Sequence, residues 1–253
     1  MRLRVDTMAK KGESKHLKRI AISSAVPIHN KKEYLWIINP SPGPHSKRSS
    51  ITLRVLLRDV LGVAKNAKEA DSIINARLVS IDGIARTDPS FSVGLFDVLE
   101  FQNSESNYMI AVDKKSRLIP IEIKKEKTHK KLLKVISKQS VKHGKTCLGF
   151  HDGKTLLADK EAKTVKVGDT VVFDISKGKI DEVLKLEKGA KCLITEGKHA
   201  GAVAKLEEII KRKEGKPSEA KLDNKSGEFI TVAKYLFVVN NHYTSDLSGE
   251  THG

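Results

Sequence analysis

Cysteine is nearly missing from this chain of 253 residues, which has two, Cys147 and Cys192, with no Cys-x-x-Cys spacing. That pair builds neither a zinc site nor a disulfide framework, and such usage suits a reducing cytoplasm. The nine histidines form no His-Glu-x-x-His motif and no His/Cys cluster, so no metal is expected. No apolar run approaches the ~20 residues a membrane span needs, and the N-terminus is charged and unlike a secretion signal. Also missing are the phosphate-cradling glycine loop, the Gly-x-Ser-x-Gly elbow, the dinucleotide fingerprint and paired-carboxylate motifs. His151 beside Asp152 is the one neighbouring pair suggestive of acid–base work, and it reads as a turn aspartate next to a surface histidine. No catalytic residue, no cofactor and no small-molecule substrate are therefore expected.

Negative charge is in deficit too. Lys and Arg number 47 against 31 Asp and Glu, a formal charge of +16, and such a balance attracts polyanions. The surplus is local. Residues 1–50 hold 11 basic and 3 acidic side chains, and residues 124–145 hold nine lysines against Glu126; each segment carries +8, together the whole excess.

The length suits roughly two to four small units, each with its own core. Residues 1–50 have too few apolar side chains to fold alone, apart from a short strand expected at Tyr34 to Ile38. They read as a basic arm that orders on its partner. Pro40, Pro42 and Pro44 favour an extended path there, and Met8 opens "MAKKG", a second candidate start.

From Leu53 the periodicity changes. Leu53, Leu56, Leu57, Val60 and Leu61 fall on one helical stripe, and Gly62 supplies the stop. Asn66 with Glu69 has the form of a capping box, opening a second helix whose buried side is Ala70, Ile73 and Ile74. That helix is expected to end near Ala76, because Arg77 would otherwise fall on the apolar stripe. Val79 and Ile81 alternate with polar residues up to Asp82-Gly83, a dipeptide suited to a tight hairpin turn. Beyond residue 103 the pattern is β. Turns are expected at Asp113 to Ser116, at "HDGK" (151–154) and at Lys177-Gly178, with further short strands punctuated by Gly189, Gly197 and Gly201.

The cations of the helix pair point to nucleic acid. Arg54 and Arg58 stand one turn apart off the stripe, Lys65 and Lys68 follow, and Arg77 and Arg86 bracket the hairpin. Guanidinium groups held on a rigid scaffold fork onto phosphate oxygens and stack on splayed bases. Residues 51–103 also hold seven acidic side chains against six basic ones, so composition alone leaves an ordinary solvated face open.

The two-helix stretch with Val79-Ser80-Ile81-Asp82-Gly83 resembles the small RNA-binding domain named after bacterial ribosomal protein S-four. "VLKLEKGAKCLITEGKHAGAVAKLEEI" (183–209) resembles the KOW motif of SH3-like barrels. In their order, "KKGESKHLKRIAIS", "PSPGPHS", the helix pair, "SVGLFDVL", the KOW hairpin and "FITVAKYLFVV" resemble the S-four-e family of archaeal and eukaryotic small-subunit ribosomal proteins, from about Met8 to Asn240. Two positions depart from the family pattern. Arg77 stands where a small residue is frequent, and Ala204 stands where the KOW pattern has a third glycine.

The resemblance implies an α+β, mostly β, multi-domain protein. Its parts would be a basic N-terminal extension (1–50), a two-helix S-four-type RNA-binding domain (51–103), a central small β domain (104–183), a KOW SH3-like barrel (184–240) and a C-terminal tail (241–253). It implies a cytoplasmic, ribosome-associated structural protein whose partners are small-subunit rRNA and neighbouring ribosomal proteins. The expected RNA contacts are Lys10, Lys11, Lys15, His16, Lys18, Arg19, His45, Lys47 and Arg48 in the arm, with Arg54, Arg58, Lys65, Lys68, Arg77 and Arg86 on the helix pair. A second strip would hold Lys130, Lys131 and Lys134, and the KOW tip Lys198 and His199. An RNA-modifying enzyme that docks through its RNA-binding domain, and a KOW-type transcription elongation factor, are the alternatives.

Overall fold

The structure, a computed structural model, describes residues 16–240 except 103, 105, 142–144, 159–163, 213–215 and 225–226. Lys10, Lys11, Lys15, the Met8 start and the tail 241–253 lie outside the described residues.

The fold is mostly β, and the strand pairs are antiparallel. β1 (Leu17–Lys18) and β2 (Trp36–Ile37) form a small ribbon. β3 (Ile51–Thr52) leads into α1 (Leu53–Val55), which passes directly into a π-helical turn at Leu56–Val60. After α2 (Ala67–Asn75) come β4 (Val79–Ile81), β5 (Ile84–Ala85) and β6 (Ser92–Val93), of which β6 pairs with β3. β7 (Val98–Phe101), β8 (Asn107–Val112) and β9 (Leu118–Ile123) complete a first large sheet of order β5-β4-β7-β8-β9.

The central sheet holds β10 (Lys130–Ser140), β11 (Thr146–Phe150), β12 (Thr155–Ala158), β13 (Thr170–Asp174) and β14 (Lys179–Leu184), in the order β12-β11-β10-β13-β14. The last sheet, β18-β17-β16-β15-β19, is built from β15 (Lys191–Ile194), β16 (Val203–Ile210), β17 (Glu219–Asn224), β18 (Gly227–Val232) and β19 (Leu236–Val238).

Local sequence accounts for most of these elements. Leu53, Leu56 and Leu57 are fully buried, each worth about 1.5–3 kcal/mol in apolar area. The stripe predicts α-helix through Leu61, whereas the Leu61 N–H reaches the carbonyl of Leu56, five residues back, at 2.9 Å. The widened turn carries the adjacent Arg58 and Asp59 toward the N-terminal ribbon. There Asp59 pairs with Arg19 and Arg58 lies over Tyr34. At the start of α2, Asn66 Oδ1 accepts the Glu69 N–H at 2.9 Å, and Glu69 Oε2 accepts the Lys65 N–H at 2.8 Å, a variant of the capping box. At its end the Arg77 N–H bonds the Ile74 carbonyl and the Leu78 N–H that of Ile73, a Schellman cap with Arg77 at φ 59°. Asp82 and Gly83 take φ 51° and 73°, the two left-handed residues of a type I′ hairpin.

Two sequence expectations change here. β8 and β9 follow residue 103, yet they hydrogen-bond into the sheet of β4 and β7, because an antiparallel meander continues across that point. The described part of the basic N-terminal stretch is packed, not free: Val26, Ile28 and Ile37 join the helix-pair core with Leu53 and Ile74. Those few apolar residues suffice because they cover a surface that the helices already present. At the other departure from the family pattern, Ala204 is buried and pairs with Cys192 in ordinary register.

The sheets close on one another through a shared cluster. Val98, Met109 and Ile123 come from the first, with Phe96 just before β7, Leu132 and Val172 from the central, and Leu193, Phe237 and Val239 from the last or the residue beyond it. Phe96 sits at φ 62°, uncommon for an aromatic, and its ring meets Phe237 at 4.7 Å between centroids. Ala200, on the β15–β16 loop, is buried in the helix-pair core, and a side chain at Gly201 would meet the Asp113 backbone at 2.7 Å. No helix among the described residues is long and apolar enough to cross a membrane.

Arg77 is exposed, so its left-handed backbone is strain without packing in return. Arg77→Gly should stabilise the protein by about 1 kcal/mol, read as a rise of roughly 2–4 °C in melting temperature.

Candidate nucleic-acid interface

The expected RNA-contacting cations divide into two populations, and the division begins in strand geometry. Along β10 side chains alternate, so Lys131 lies on the face of Leu133 and Val135 and not on the exposed face expected for it. Lys131 is fully buried. Its Nζ donates to Asp97 Oδ1 at 2.5 Å, Asp82 Oδ2 at 2.7 Å and Asp152 Oδ2 at 3.2 Å. Lys154 Nζ adds a bond to Asp82 Oδ2 at 2.9 Å. Gly94 N–H and His45 Nε2 approach Asp97 Oδ2 at 2.8 and 2.9 Å. Burial alone would push these groups toward neutrality. The Lys131 charge, with the His45 hydrogen bond beside it, outweighs burial and holds Asp97 far below the usual carboxylate range, while Asp97, Asp82 and Asp152 hold Lys131 above the usual ammonium range.

His151 belongs to this junction and is not a surface histidine. Its ring meets Phe237 edge-on at 5.2 Å, Nδ1 accepts the Lys134 N–H at 3.3 Å, and Nε2 lies 3.2 Å from the Leu95 carbonyl. This pattern suits the neutral ring. Burial, aided by the Lys131 charge, pushes its pKa down to about 4.

His45 and Arg19 are likewise internal. His45 lies against Gly94, where any Cβ would fall 2.4 Å from the imidazole, which explains why "GPHS" and "SVG" occur together. Arg19 is 2% exposed and bonds Asp59 Oδ1 at 3.0 Å, the Asn30 carbonyl at 3.1 Å and Glu33 Oε2 at 3.4 Å. Lys134 gives its Nζ to the Lys234 and Leu236 carbonyls, each at 2.6 Å. Burial draws its pKa down to about 8, and burial raises that of nearby Cys192 to about 12. The structure therefore gives Arg19, His45, Lys131 and Lys134 to the fold.

The remaining described cations are exposed or half-buried. Lys18, Arg48, Lys65, Lys68, Arg77 and Lys198 are exposed. Arg54 makes a two-pronged pair with Asp71 at 2.6 and 2.7 Å, and Arg58 pairs with Asp59 at 2.7 Å. Arg86 lies 4.4 Å over the Phe91 ring, and its Nε is buried without a hydrogen-bond partner among the described residues. Lys130 pairs with Asp181, His199 stacks on Phe229 at 4.3 Å, and His16 lies 5.7 Å from Trp36. Lys47 and Arg48 line a cleft of about 2000 Å³ between the N-terminal stretch and the central and last sheets, with Lys166, Lys211 and Lys234 on its other walls.

Sequence reasoning missed Asp82, Asp97 and Asp152 as the partners of a buried ammonium. The alternation of Lys131 with Leu133 and Val135 was the available signal.

Among the described residues the arrangement is one of cations on a rigid scaffold, with no convergent acid, base and nucleophile. The profile of the RS4NT (NUC023) domain matches residues 11–48, and that of Ribosomal family S4e matches residues 104–180. The chain is 39% identical to "Small ribosomal subunit protein eS4" of Methanosphaera stadtmanae, over 92% of this chain and 95% of that one. It is 40% identical to the protein of the same name from Nanoarchaeum equitans, over 78% and 83%. The crystal structure of the 30S ribosomal protein S4e from Thermoplasma acidophilum superimposes with a TM-score of 0.65 at 31% identity, covering 76% of this chain and 95% of that one. The chain belongs to the S4e family of ribosomal proteins.

Two outcomes follow from the junction. Lys131→Met should destabilise the protein by about 3–5 kcal/mol in urea unfolding, since three carboxylates lose their central cation. Between pH 6.5 and about 4 the unfolded chain protonates His151 while the folded one resists. Its contribution, complete above pH 6.5, is therefore lost as pH falls, by roughly 3 kcal/mol at pH 4. His151→Phe should flatten this limb of the stability profile.

Proposed function

We propose that this protein is a structural constituent of the small ribosomal subunit that binds 16S-type rRNA and catalyses no reaction. The observation that carries the reading is 39% identity, over 92% of this chain and 95% of the other, to a relative named as a small ribosomal subunit protein. In this reading, residues 51–103 supply an S-four-type RNA-binding face, the central sheet is a spacer and brace, and residues 184–240 act as a KOW-type SH3-like barrel. The protein works in the cytoplasm on the ribosome, beside neighbouring ribosomal proteins.

The physical mechanism is phosphate neutralisation by outward cations. Lys65, Lys68 and Arg77 sit at the two ends of α2, with Arg54 and Arg58 on the preceding helical turns. Each cation that meets a phosphate displaces condensed counterions, so affinity falls steeply with salt. Arg54 and Arg58 contribute less than their charge suggests, because each enters already paired with an aspartate. Lys18, exposed in the N-terminal stretch, adds to this charge, and Lys10, Lys11 and Lys15 precede it in the sequence. Phosphate contacts of this kind set orientation and leave base recognition to other groups.

The combined substitution of Lys65, Lys68 and Arg77 by alanine should weaken binding to purified small-subunit rRNA. The slope of log affinity against log salt should shrink by roughly 0.7 to 0.9 per lost phosphate contact. Wild-type protein with no affinity for that rRNA at low ionic strength would overturn the proposal.

A further inference from the structure

The chain has one tryptophan and places it in the open. Trp36 is 52% exposed, and beside it in sequence Tyr34 is 49% and Leu35 65% exposed, with Ile20 at 63% on the neighbouring segment. The register explains the placement. Leu17 pairs with Ile37 and Lys18 with Trp36, and directly opposed residues of an antiparallel pair share a face. Ile37 packs into the helix-pair core, so the face opposite to it carries Trp36 and Lys18 outward.

The surroundings of the Tyr34 ring are cationic. The guanidinium carbons of Arg58 and Arg19 lie 5.3 and 5.4 Å from the Tyr34 ring centre, and Asp59 bonds both arginines. His16 lies 5.7 Å from the Trp36 ring and Lys18 faces it across the ribbon. A grouped patch of apolar rings marks a binding surface. A tyrosine ring held by two arginines, beside an exposed tryptophan with a lysine across the ribbon from it, matches an unpaired nucleobase and its phosphate better than the apolar face of another protein.

We propose that Trp36, assisted by Tyr34, is a stacking platform for an unpaired RNA base, with Lys18 meeting the adjoining phosphate. This rests on the rRNA-binding reading above and adds to it a contact that selects single-stranded over duplex RNA. Double-stranded RNA keeps its base faces internal and offers the ring nothing to stack on.

Because Trp36 is the sole tryptophan, its emission reports the contact directly. The full chain would be titrated at low salt with a short fluorophore-labelled oligouridine, with duplex RNA and with inorganic polyphosphate, following Trp36 emission and the anisotropy of the label. Oligouridine should quench Trp36, whereas duplex and polyphosphate should leave it nearly unchanged. Trp36→Ala should lose about tenfold in oligouridine affinity, as expected for one stacked base, while Trp36→Phe largely retains it. Melting curves of both variants should match the wild type, since the ring is exposed. Oligouridine binding with unchanged Trp36 emission and undiminished W36A affinity would overturn the platform while leaving the rRNA reading intact. Quenching only by RNA-free small-subunit proteins would overturn it in favour of a protein contact. Failure to bind any RNA, small-subunit rRNA included, would remove the reading beneath it as well.

Discussion

One ammonium group organises this molecule. Lys131 reaches from the central sheet to Asp82 in the β4–β5 turn, to Asp97 just before β7 and to Asp152 in the β11–β12 turn. A charge this deeply buried is tolerable only against carboxylates, and those three carboxylates are in turn tolerable only around their shared ammonium in a low-dielectric interior. The geometry is therefore close to all-or-none, and it fixes how the first sheet and the central sheet face each other. Next to it the Phe96–Phe237 contact adds the last sheet through apolar area, which is strong but indifferent to direction. The polar junction supplies the orientation that the apolar cluster lacks.

This division changes how the positive charge should be understood. A formal +16 suggests a surface covered in spare cations, yet Arg19, Lys131 and Lys134 are taken up by internal carboxylates and carbonyls, and Arg54 and Arg58 are matched to aspartates. What faces outward is a smaller set, held at defined spacing by a scaffold that the internal cations make rigid. A polyanion then meets pre-positioned charges instead of a mobile cloud, and less side-chain entropy is lost on contact. The same economy shapes the N-terminal ribbon, where Arg19 is buried beneath the surface on which Trp36 and Lys18 stand.

The chain's short-range rules were legible from sequence. The leucine stripe of the first helix, the Asn66 and Glu69 cap, the end of α2 before Arg77, and the turns at Asp82-Gly83, 113–116, 151–154 and 177–178 all depend on neighbours within five residues. The order of motifs, which identified the family, is equally a property of the linear chain. The π turn was not legible, because its adjacent Arg58 and Asp59 answer to Tyr34 and Arg19, whose contacts with them span more than twenty residues. Nor was the sheet membership of β8 and β9, since alternation says that a strand is half-buried but not which strand it joins.

Sequence by itself thus determined where the elements lie, how they turn and what kind of partner the charge favours, because backbone preferences and side-chain periodicity act locally. Only the tertiary structure decided which cations remain outside. Lys131 and Lys130 are adjacent and chemically identical, and the pleat sends one into a ring of three aspartates and the other toward solvent beside Asp181. The fate of each depends on carboxylates tens of residues away, and the linear pattern of charge carries no record of that distance.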